Sequence, residues 1–212
     1  MKTILILAAT LVLLPLVRKL LGATIGSVIG HLFAKAVGGQ ALSQQPDTIH
    51  LSRSGAQAWS DASAAGAIAN PLLGRGFEDA GTFKVQEMPV VVRLLAHPGD
   101  SLIAAICEHP QAGVWCDIVA RYEKGNSITF TTSKPTGLDH RPGHPTVNAP
   151  GLSPLALLAR TRAERPQGLL KPATAETAAR VFEQSYAESM AWRKHRGVSA
   201  REVGEVAGKM AA

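Results

Sequence analysis

Apolar and polar positions are patterned most clearly between Val90 and Thr132. There, apolar runs are separated by the turn signals Pro98-Gly99-Asp100, Pro110-Gln111-Ala112-Gly113 and Gly125-Asn126. Short apolar runs bounded by Gly, Pro and Asn read as strands joined by hairpins. The stretch therefore predicts an antiparallel meander, and Thr82–Val85 reads as a short strand before it. A four-residue loop at Pro110–Gly113 opposes His109 to Val114, Glu108 to Trp115 and Cys107 to Cys116. A two-residue turn at Gly125-Asn126 opposes Tyr122 to Thr129 and Arg121 to Phe130. One face then carries Val92, Leu94, Ile103, Ala105, Cys107, Val114, Cys116, Ile118 and Ala120, a core face. The other mixes Arg93, Glu108, Asp117 and Arg121 with Leu95, Ile106, Val119 and Phe130.

The period changes from two to about 3.6 after Gly151. Ser153-Pro154 is an N-cap and first-turn pair, with Leu155, Leu158 and Ala159 on one face and Pro166 beyond the end. A longer helix runs from about Thr174 to Arg196. Its stripe is Ala175, Ala179, Phe182, Tyr186 and Met190, and Gly197 stands at the stop position. Ser199 with Glu202 forms a capping box for a last helix bearing Val203, Val206 and Met210. The fold class is α+β: a meander of four to five strands, then C-terminal helices packed on one face.

The chain begins differently. Ile4–Val17 is an apolar run closed by Arg18-Lys19, shorter than the ~20 residues that span a bilayer. Leu20–Gly39 continues apolar, with Gly22, Gly26, Gly30, Ala34 and Gly38 on one helical face, a spacing that permits close helix packing in lipid. Residues 1–38 read as a membrane-associated helical anchor, with a signal peptide as the alternative. Residues 39–80 are rich in Ala, Ser, Gly and Gln and read as a flexible linker. Residues 81–212 are the α+β domain. The basic residues around the apolar stretch do not fix which side of the membrane carries that domain.

Composition adds less. Aromatic residues are 5% of the chain, so the core must be aliphatic and small. The net charge is +6, and residues 153–212 hold most of the excess, ten Lys/Arg against six Asp/Glu. That allows an anionic lipid surface or a protein partner. Nucleic acid is disfavoured, since neither stacking aromatics nor a known module accompanies the charge. Nucleotide loops and nucleophile elbows are absent from the sequence.

Candidate chemistry is confined to two places. The Pro/Gly/His-rich stretch Ser133–Gly151 carries Asp139, His140, Arg141 and His144, residue types suited to acid–base work or ligand binding. Trp115 and Asp117 at the hairpin end add an aromatic and a carboxylate. Pro142 and Pro145 exclude a helical His-x-x-x-His face, so neither a metal site nor a cofactor is expected. The proposed register makes Cys107 and Cys116 a candidate disulfide. The function expected is that of a membrane-tethered binding module. The alternative is a hydrolase-like or metal-dependent enzyme using Asp139, His140 and His144.

Overall fold

The computed structural model describes residues 42–199, 201, 202 and 204. The anchor expected at 1–38 and the apolar face of the last helix lie outside the described residues. Among the described residues, no helix is long and apolar enough to cross a membrane. Residues 46–195 form one compact unit, and the flanking residues group separately. In that second group the capping box is formed: Glu202 N donates to Ser199 Oγ at 3.2 Å and Ser199 N donates to Glu202 Oε2 at 2.8 Å.

The unit is built on a seven-stranded sheet with its strands in sequence order. They are β1 (Leu51–Ser54), β2 (Glu78–Val85), β3 (Val91–His97), β4 (Leu102–His109), β5 (Gly113–Arg121), β6 (Ser127–Thr131) and β7 (Thr146–Asn148). All neighbours are antiparallel except β6 and β7, which run parallel. The helices are α1 (Ala62–Leu73), α2 (Pro154–Glu164) and α3 (Ala175–Arg196).

The stretch expected to be a linker is part of the fold from Pro46 onward. It supplies β1, a 3-10 turn at Ala56–Ala58, α1 and the start of β2. Its small residues are the means of packing. Ala65, Ala69 and Leu72 recur at helical spacing, and all three are buried against the sheet. Alanine lets a helix approach closely, so a segment poor in large side chains still buries its backbone-proximal surface. Asp61 caps α1 by accepting from Ala64 N at 2.8 Å. The buried Glu108 carboxylate accepts from Ser60 N at 2.7 Å and from Asp61 N at 2.9 Å, which ties the start of α1 to β4.

The hairpins differ from the expected register. Ala112 N donates to His109 O at 3.1 Å, Gly113 takes φ +72°, and His109 pairs with Gly113. Ile106 therefore opposes Cys116 and Cys107 opposes Trp115. At the next turn, Gly125 takes φ +88° and Tyr122 pairs with Asn126, so Arg121 opposes Ser127. A slip of one residue moves a whole strand's side chains to the other face. The expected faces hold for β3 and β4, but β5 is turned over. Cys116, Ile118 and Ala120 share a face with Leu95, Ile106 and Phe130; Trp115, Asp117, Val119 and Arg121 share one with Val92, Leu94, Ile103, Ala105 and Cys107. The two cysteines lie on opposite faces as free, buried thiols, and the candidate disulfide is not formed.

Both faces are covered, not one. α1 and α2 close the first through Ala65, Ala69, Leu72, Leu157 and Leu158. α2 turns Leu157, Leu158 and Thr161 inward, leaving Leu155 exposed. α3 covers the second face, placing Ala178, Ala175, Ala179 and Phe182 against Phe83, Val92, Leu94 and Cys107. The helix stops as expected, with Gly197 at φ +72°.

The Glu108 contact makes a direct prediction. Glu108→Ala removes the buried acceptor shared by the Ser60 and Asp61 N–H groups. It should lower stability by about 1–3 kcal/mol in urea denaturation. Glu108→Gln keeps an acceptor oxygen and should cost clearly less.

Candidate functional site

The turned-over β5 gives the α3 side of the sheet a polar floor. Along β5 that floor reads Trp115, Asp117, Val119, Arg121, with Thr131, Thr129 and Ser127 opposite on β6. The chain between β6 and β7 crosses this face before returning as β7, and α3 lies above it. Between floor, crossover and helix is an open cavity of about 500 Å³. Ile103, Ala105, Val119 and Phe182 give it an apolar patch; Asp117, Arg121, Arg141, His144 and Glu188 bring charge and hydrogen-bonding groups.

Five of the six residues singled out from the sequence line this cavity: Asp117, Asp139, His140, Arg141 and His144. Trp115 stands behind it. Its indole packs among the residues under α3 and its Nε1 donates to Asp117 Oδ2 at 3.2 Å. Glu108, expected on the same face as these two, is on the other side of the sheet. Arg121, Ser127, Lys171 and Glu188 were not singled out. Their signal was positional: they enter the cavity only because of the β4–β5 register, the β5–β6 turn, the placement of α3 and, for Lys171, the pairing of its backbone with the end of β5.

His144 is held on both sides of Nδ1. Ser127 Oγ lies 2.7 Å away and Arg141 Nη2 3.3 Å away. Arg141 can only donate, so Nδ1 is the acceptor, the Ser127 hydroxyl donates to it and the ring proton sits on Nε2. Burial and the Arg141 guanidinium hold His144 below the ordinary histidine range, against the opposing pull of Glu188. Arg141 forks onto Glu188 Oε2 through Nη1 and Nη2, both at 3.1 Å. Gln184 donates to the other Glu188 oxygen at 2.8 Å. Burial raises the Glu188 carboxyl, but these hydrogen bonds and the nearby Arg121 outweigh it and leave the group low. Among the described residues, the buried Arg141 Nε finds no hydrogen-bond partner.

Asp117 lies at the far end of the floor. Burial pushes its carboxyl up to about 6, although hydrogen bonds from Thr131 and Trp115 pull the other way. Burial also pushes both cysteine thiols well up, with Asp117 adding to the effect, so neither is a ready nucleophile. Among the described residues, no group of three or more His, Cys, Asp or Glu side chains could hold a metal ion. Asp139 and His140 share the cavity with His144, whose Nδ1 is engaged by Ser127 and Arg141.

No family model matches the chain, and neither a curated protein nor a solved structure shows significant similarity to it.

The raised Asp117 carboxyl has a signed consequence. The folded state binds this proton more tightly than the unfolded chain, so stability from this group is full below about pH 3.8 and is lost as pH rises toward about 6. The loss is up to about 3 kcal/mol. Asp79 and Glu188 are lowered and give the opposite slope, so wild type must be compared with Asp117→Asn. Denaturation from pH 4 to 7 should show the variant gaining on wild type across that window and keeping a constant advantage above it.

Proposed function

We propose that residues 46–195 form a non-enzymatic module that binds a small ligand in the cavity under α3. The observation that carries this reading is the cavity itself. It combines an apolar patch with a few fixed polar groups, the usual composition of a small-molecule site, and its volume lies in the usual range of about 300–1,000 Å³. Arg141, His144, Ser127 and Glu188 are locked by one another, so the polar end is preorganised.

The hydrolase-like alternative finds one favourable contact, Ser127 Oγ to His144 Nδ1 at 2.7 Å. A serine attack passing its proton to His144 would create an imidazolium 3.3 Å from the Arg141 guanidinium. That like-charge pair opposes the step. The metal-dependent alternative lacks a set of converging ligands among the described residues. Binding is therefore the better-supported reading.

The membrane tether belongs to the same proposal and rests on the apolar sequence before Gly39. An anionic lipid surface or a protein partner remains compatible with the basic C-terminal residues.

Thermal-shift screening of the full chain against a library of small amphiphilic molecules tests the module. Compounds that raise Tm should lose their effect in Val119→Trp, which fills the floor, and in Ser185→Trp, which fills from the helix side. If no compound raises Tm, or if stabilising compounds are indifferent to both variants, the binding reading fails.

A further inference from the structure

The polar groups of the cavity are not equally engaged. Arg141 is committed to Glu188. Arg121 and Lys171 line the same cavity, and neither side chain makes a hydrogen bond or ion pair with the described residues. The two are held side by side. Lys171 N donates to Arg121 O at 2.8 Å, and the Tyr122–Leu170 bridge straps the incoming chain to the end of β5. Both are half-buried. Glu188 is close enough to feel Arg121, but its two oxygens are already occupied by Arg141 and Gln184. Half-buried cations with no direct ion pair among the described residues are costly, and a carboxylate or phosphate oxygen would relieve them through charge-assisted hydrogen bonds.

The rest of the floor sets what must be attached to that anion. Val119 is next to Arg121 on this face and opposes Ile103, with Phe182 of α3 also lining the space. Asp117 follows two positions further along β5, so its Cα lies about 13 Å from that of Arg121. The floor thus runs from cationic through apolar to a carboxyl group. A second anionic group at the far end would meet Asp117.

We infer that the cavity takes an amphiphile with a single anionic head group, its carboxylate or phosphate on Arg121 and Lys171 and its apolar body along Ile103, Val119 and Phe182. This rests on the small-ligand reading above and narrows it to one chemical class.

The test uses the full chain in a nonionic amphipol and calorimetric titration with octanoate, octyl phosphate, octanol, octylammonium and octanedioate. Octanoate or octyl phosphate should bind at least about tenfold more tightly than octanol. The ratio of the two anions identifies the preferred head group. Octanedioate and octylammonium should both bind more weakly than octanoate. Arg121→Gln should weaken the preferred anion about tenfold and octanol far less, and Lys171→Gln should act in the same direction. The two variants are independent, so a folding defect in one leaves the other to decide. Octanol binding as tightly as both anions overturns the inference while leaving a small-ligand site standing. So does an anion preference that survives both variants. Failure of every probe, octanol included, overturns the inference and the small-ligand reading together.

Discussion

The arrangement depends on the pairing of β4 with β5. Gly113 closes the hairpin in the left-handed region and sets Cys107 opposite Trp115. Because side chains alternate along a strand, that single register decides which half of β5 faces which helices. It sends Cys116, Ile118 and Ala120 to the side of α1 and α2, where they complete an apolar core with Leu72, Leu157 and Phe130. It sends Asp117 and Arg121 to the side of α3. The neighbouring register would drive both charges into the Leu72–Leu157 core, where an uncompensated ion costs several kcal/mol. The hydrophobic content of β5 thus enforces its own pairing, and the polar floor of the cavity is the other half of that outcome.

The two covers of the sheet use different chemistry. α1 packs through Ala65 and Ala69, whose small side chains leave little space between helix and strands. α3 packs at one end through Ala175, Ala178 and Ala179, then presents Phe182, Tyr186 and Trp192 over the floor. The crossover from β6 to β7 closes one side with Arg141 and His144. Its Pro and Gly residues keep it irregular, and its backbone is satisfied by the sheet: Ser127 N donates to Gly143 O at 3.1 Å and Thr129 N to Pro145 O at 3.0 Å. A loop docked in this way can position side chains as firmly as an element does.

Much of this was legible in the sequence. The strands from Val91 to Thr131, the caps at Ser153 and Gly197, and the Ser199–Glu202 box all follow from local chemistry that acts within a few residues. The loop residues Asp139, Arg141 and His144 and the carboxylate Asp117 were legible as a candidate group because their types are rarely placed together without a polar environment. The faces of β5 were not legible. Pro110–Gly113 accommodates two registers, and the choice is made by burial far from the turn. β1 and α1 were hidden because alanine carries little hydrophobic signal even where it packs fully. Arg121 and Lys171 were hidden for a related reason: nothing local distinguishes a cation facing a cavity from one facing water.

Cross-strand backbone NOEs between β4 and β5 test the central claim most directly. The account predicts contacts that pair Ile106 with Cys116, Cys107 with Trp115 and Ala105 with Asp117. Contacts pairing Cys107 with Cys116 and Glu108 with Trp115 would contradict it, for they would turn β5 over and carry Asp117 and Arg121 out of the cavity.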